Sequence, residues 1–120
     1  ATRFLKSGGT VITGIDRPWR DNSYHPKFIG EESDLPVTTI QLALRTQVPV
    51  VTIACTRNPD GKYLLQASPF LELKAYQNRH EELVQNTEMV LRVAEPFLKA
   101  TPSQWSMFYP VWSQFRNSMP

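Results

Sequence analysis

The chain has 120 residues, 41% hydrophobic and 20% charged, with a net charge of +2, which suits one domain with a real core and is too short for two. Its mild basicity, with a pI near 8.9, lacks the lysine and arginine stripes that grip a phosphate backbone, which argues against nucleic acid as a partner. Every apolar stretch falls short of the ~20 residues that span a bilayer, and no signal peptide opens the chain.

In chain order, Ala1 to Lys6 reads as the last turn of a helix whose earlier turns are absent, stopped by Ser7-Gly8-Gly9. This beginning suggests a fragment. Thr10-Val11-Ile12-Thr13 is a β-branched run between glycines, which predicts a buried strand. It leads into Gly14-Ile15-Asp16-Arg17-Pro18-Trp19-Arg20-Asp21, charged and aromatic residues at a strand end, where open α/β sheets keep their sites. Asn22 to Leu35 reads as an irregular loop around Phe28-Ile29.

From Pro36 the apolar spacing of Val37, Ile40, Ala43 and Leu44 predicts a helix of about three turns. Val48 to Cys55 is almost continuously apolar, as in a strand covered on both faces, with Pro49 near its start. Cys55 is the lone cysteine; it cannot form an internal disulfide and reads as a small buried thiol in a reducing compartment. Strand, helix, strand makes a parallel unit. Asn58-Pro59-Asp60-Gly61 then predicts a turn, and Lys62 to Ala67 returns antiparallel as an edge strand. A helix follows from Arg79, which Pro96 is expected to kink or divide. Thr101-Pro102 opens a last, amphipathic helix over about 102–114, disturbed near Pro110. The expected fold is α/β, a mixed and mostly parallel sheet with flanking helices, in a single domain or fragment spanning 1–120.

Familiar catalytic signatures are missing. His25 and His80 have no metal-like set of neighbours and read as ordinary exposed histidines. No G-x-S-x-G elbow is present, and Ser7-Gly8-Gly9 precedes a strand and so does not cradle phosphate at a helix start. Arg17, Arg20 and Arg57 fall near predicted strand ends, where they either converge on a phosphate or are simply solvated. Glu31, Glu32 and Asp34 form an acidic group beside them; a carboxylate there can orient a hydroxyl, while Asp34 suits a helix cap. Trp105, Phe108, Tyr109, Trp112 and Phe115 gather in the terminal stretch, as a packed core helix or as a membrane-facing surface of Trp105, Phe108 and Trp112.

Three segments together resemble the bacterial lipid A biosynthesis acyltransferases, lauroyl- and myristoyl-transferase-like members of the lysophospholipid acyltransferase superfamily. Gly9 to Arg17 is similar to the family's apolar strand ending in aspartate. Phe28-Ile29-Gly30-Glu31, Leu35-Pro36, Leu42-Ala43-Leu44-Arg45-Thr46 and Val48-Pro49-Val50-Val51 resemble its aromatic pair and glycine, its proline-opened helix ending in L-A-x-x-T, and the following strand. Pro102-Ser103-Gln104-Trp105, with Phe108-Tyr109-Pro110-Val111-Trp112 behind it, is similar to the terminal P-E-Q-W segment. Ile29 stands where the family has a second aromatic, Gln47 where glycine is common, and Ser103 in place of glutamate.

The resemblance implies transfer of a fatty acyl group from an acyl carrier protein or coenzyme A thioester, with no other cofactor and no metal, to a hydroxyl of a glycolipid or phospholipid at the cytoplasmic face of the bacterial inner membrane. It places this chain in the C-terminal half of the domain. The family's general base is a histidine with an acidic residue five positions later. Here Gly30 follows His25 and Gln85 follows His80 at that distance, so the pair is expected in a missing N-terminal half and this chain alone is expected to be inactive. By the same resemblance Glu31 orients the acceptor, and Asp16, Arg17 and Arg57 bind its oxygens. The alternative is a non-catalytic α/β module that binds lipid or protein through Trp105 to Phe115.

Overall fold

The computed structural model describes residues 1–18 and 23–117. Its spine is α3, Arg79–Ala100, and four other elements pack on it: β1 (Lys27–Phe28), α2 (Thr38–Thr46), β3 (Ile53–Arg57) and a 3-10 turn at Pro102–Gln104, while the short α1 (Thr2–Lys6) packs on α2. The start of α3 follows from Asn78, whose side chain accepts the Glu81 N–H, with Glu81 and Glu82 in the first turn where carboxylates favour the positive end of the helix. Leu83, Asn86, Thr87, Val90 and Leu91 form its buried stripe. The helix runs unbroken through Pro96. Glu95 and Leu98 on either side of that proline are anchored to neighbouring elements, which outweighs the local cost that predicted a division.

Among the described residues the strands pair only with strands running the other way. β1 pairs with β2 (Glu31–Glu32), and β3 with β4 (Tyr63–Ala67), in two separate antiparallel sheets. The expected mostly parallel sheet is therefore corrected to a mixed helical fold with two small antiparallel sheets. The reason lies in Thr10 to Thr13, which is not a strand: Val11 and Ile12 are exposed, Ile12 at 86%. A β-branched run becomes a strand only where a neighbour completes its ladder, and no described strand does so. The predicted return at Asn58 to Gly61 holds. Asn58 N–H donates to Lys62 O at 2.8 Å and Gly61, at a φ of 84°, supplies the left-handed residue that closes the turn.

Period-2 alternation puts Ile53, Cys55 and Arg57 on the outer face of β3, and all of β4 is exposed. Cys55 is thus an exposed thiol and not the buried one expected. The strand reads as covered on both faces because its residues are apolar, yet no described element covers its outer face.

α2 is shorter than expected, starting at Thr38 after Val37. Asp34 does not cap it; its carboxylate is engaged elsewhere. Gln47 ends α2 in the left-handed region, φ 56°, which is the conformation that makes glycine common there. The core joins Phe28, Leu35, Leu91 and Val111, with Ile15, Ile29, Leu98, Trp105, Met107 and Trp112 packed on it.

Candidate functional site

The three segments singled out in the sequence meet in this core. The Phe28 ring lies edge-on to Trp105, centroids 5.9 Å apart, and stacked on Trp112 at 6.2 Å. Trp105 Nε1–H donates to Asp16 Oδ2 at 3.0 Å, and Trp112 Nε1–H to the Phe28 carbonyl at 2.8 Å. Both indoles are half-buried with their one donor satisfied, the usual requirement for a packed tryptophan. Phe108 is 80% exposed. The expected membrane-facing trio is therefore divided: two rings pack inward and one points out.

The expected helix over about 102–114 is replaced by two 3-10 turns, Pro102–Gln104 and Ser113–Phe115, joined by irregular chain. Pro110 in the middle, an Asp16 that takes the Trp105 indole, and a Ser33–Trp112 bridge that takes the backbone all work against a helix.

Gln104 explains how Arg57 reaches the same region. Its amide clamps one residue at both ends: Oε1 accepts the Arg57 N–H at 2.7 Å and Nε2–H donates to the Arg57 carbonyl at 3.0 Å. Asp16 and Arg57, 41 positions apart in the chain, thus meet adjacent residues, Trp105 and Gln104. An open cleft lined by Thr56, Arg57, Asn58, Pro59, Thr101 and Gln104 lies beside this clamp. Among the described residues no ion pair engages the side chains of Arg17, Arg57 or Glu31, and all three are exposed. Arg20, with Trp19 and Asp21, lies outside the described residues.

Glu31 stands on the β1–β2 hairpin, opposite Phe28 in register. α3 grips this hairpin through carboxylates: Glu88 Oε1 accepts the Lys27 N–H and Glu95 Oε1 the Ile29 N–H, both at 2.9 Å. Nothing in the sequence pattern announces these contacts, which span more than sixty positions.

Asp34 is the buried charge of the region, 3% exposed. Its carboxylate accepts from His25 Nδ1 at 3.1 Å, Ser113 Oγ at 2.9 Å and Arg116 Nε at 2.9 Å, with a second bond from Arg116 Nη2. Burial pushes the Asp34 carboxyl up, but the Arg116 and Ser113 hydrogen bonds and the charges of Arg116 and His25 outweigh it and hold the group below its ordinary 3.8. Asp34 N–H also donates to Val111 O at 2.8 Å. The role is to pin the terminal segment. His80, exposed on α3, lies against Tyr24 with ring centroids 5.1 Å apart and planes tilted by 31°.

A family model described as bacterial lipid A biosynthesis acyltransferase matches residues 1–114. A search of curated proteins gives no match.

Proposed function

Because this chain belongs to the bacterial lipid A biosynthesis acyltransferase family, we propose that it forms the acceptor-side, C-terminal part of an acyltransferase domain. The family is one of acyltransferases, and the reaction is transfer of a fatty acyl group from an acyl carrier protein or coenzyme A thioester to a glycolipid or phospholipid hydroxyl. The acceptor oxygen attacks the thioester carbonyl carbon, its proton passes to a base, and the new C–O bond replaces the C–S bond as the thiol leaves with a proton. Neither His25 nor His80 has an acidic residue five positions on, so the base belongs to another segment of the domain and this chain alone is inactive.

The observation that carries the reading is the convergence of Asp16, Phe28, Trp105 and Trp112 in one cluster. It unites the three segments of family resemblance, which otherwise have no reason to touch. In this reading the exposed Glu31 orients the acceptor hydroxyl, while Arg17 and Arg57, free of ion pairs among the described residues, bind phosphate or sugar oxygens. The protein works at the cytoplasmic face of the inner membrane. Phe108 and Tyr109, 80% and 53% exposed, make the contact here; no described helix is long and apolar enough to cross a bilayer.

The test is acyl transfer by the full-length gene product from lauroyl-coenzyme A or an acyl carrier protein thioester to underacylated lipid A, followed by mass spectrometry of the lipid. Product is expected, and Glu31→Gln is expected to lower turnover by more than about tenfold, equivalent to ~1.4 kcal/mol of barrier. Unchanged turnover removes Glu31 from the site. The exposed Phe108, Tyr109 and Phe115 favour one second reading, a non-catalytic lipid-binding module. Vesicle co-sedimentation lost in Phe108→Ala, with no acyl product from the full-length protein under either donor, selects it.

A further inference from the structure

The hairpin that carries Glu31 is held in a conformation its own sequence disfavours. Its two-residue turn is Ile29-Gly30, with φ of 51° and 81°. Gly30 adopts the left-handed region freely, whereas a β-branched residue does not, and Asn-Gly is the pair such turns ordinarily take. Two contacts impose it. The Ile29 side chain packs against the Phe28 core, and Glu95 Oε1 accepts the Ile29 N–H at 2.9 Å. Glu95 is largely shielded, with 18% of its side chain exposed, so this charge-assisted bond forms away from bulk water. Glu88 grips the same hairpin at Lys27, at the base and not at the turn.

We propose that Glu95 is a positioning residue for Glu31, fixing the turn so that the acceptor-side carboxylate faces the substrate hydroxyl. The proposal rests on the acceptor-orienting reading of Glu31. Glu95 touches no substrate; it acts through the Ile29 backbone. Lys99 Nζ, 3.8 Å from Glu95, is a solvent-side partner on the same helix. Loss of the Glu95 charge alone therefore disturbs that pair without freeing the turn.

The experiment uses the full-length gene product with saturating lauroyl-coenzyme A and a range of underacylated lipid A concentrations, with thermal melting of every variant. Glu95→Ala is expected to raise the acceptor KM about tenfold, the effect of losing one charge-assisted hydrogen bond, and to leave the donor KM in place. Glu95→Gln keeps an oxygen acceptor for Ile29 and is expected to restore the wild-type KM. Glu95→Leu, which keeps the side-chain bulk beside the hairpin and removes the acceptor for the Ile29 N–H, is expected to raise the acceptor KM likewise, and it carries the test if Glu95→Ala does not fold. Glu88→Ala is expected to lower the melting temperature without moving the KM. Equal damage from Glu95→Ala and Glu95→Gln, or an unmoved acceptor KM in Glu95→Ala and Glu95→Leu, overturns the proposal while leaving Glu31 its role. Wild-type turnover in Glu31→Gln overturns the reading of Glu31 and this proposal with it.

Discussion

Gln47 and Asn86 illustrate how much a single side chain decides here. Gln47 closes α2 at a φ of 56°, where a Cβ crowds the backbone, so Gln47→Gly is expected to stabilise the chain by about 0.5–1 kcal/mol despite the added freedom of the unfolded state. An unchanged or lower midpoint in urea unfolding counts against it. Asn86 is 1% exposed and repeats the Gln104 device: Oδ1 accepts the Lys74 N–H and Nδ2 donates to the Lys74 carbonyl, both at 2.8 Å. Asn86→Ala strands both backbone groups and is expected to cost about 2 kcal/mol, read from the same unfolding curves; a loss under about 0.5 kcal/mol means water replaces the amide. The Gln47 position was legible through the glycine that the family prefers. The amide clamps were not, because an asparagine or glutamine in sequence carries no mark of which distant backbone it will meet.

Among the elements, the terminal segment departs most from expectation. Its aromatic content and Thr101-Pro102 start are those of an amphipathic helix, yet it forms no such helix because Asp34, Phe28 and Ser33 each offer its backbone or side chains a partner. The Asp34 pin makes this attachment sensitive to acid. Its folded pKa is depressed, so the stabilisation is complete above the ordinary 3.8 and is lost as the pH falls through the lower folded value. Asp34→Asn is expected to cost about 1–2 kcal/mol at neutral pH, modest because the Arg116 partner is solvated. The gap to wild type should close only as the pH falls through that depressed folded value, where the native carboxyl is itself protonated; a gap in melting temperature that stays constant down into that acid range assigns the pin to backbone contacts instead. For α3 the sequence was a good guide to start and apolar face, and misleading only at Pro96, since a proline's local penalty says nothing about the anchors beyond it.

The whole molecule is looser than its length suggests, with a radius of gyration of 15.2 Å against about 13–14 Å for a compact domain of this size. The excess goes with an uncovered surface. Ile53, Tyr63 and Leu65, exposed by 50%, 71% and 68%, share one face of the β3–β4 hairpin by their register. Apolar sheet faces with open edges associate. The 120-residue chain by itself is expected to self-associate at rising concentration in sedimentation velocity, and Leu65→Lys to reduce it; a concentration-independent monomer contradicts this. Local chemistry is readable along the chain: the cap of α3, the turn at Asn58 to Gly61, the stop after Lys6 and the motifs of the family all depend on residues within a few positions of one another. Strand direction, the exposure of Cys55, the inward turn of Trp105 and Trp112, and the carboxylate grip of α3 on the Glu31 hairpin depend on partners dozens of positions away, and those were set only when packing chose which groups would leave water together.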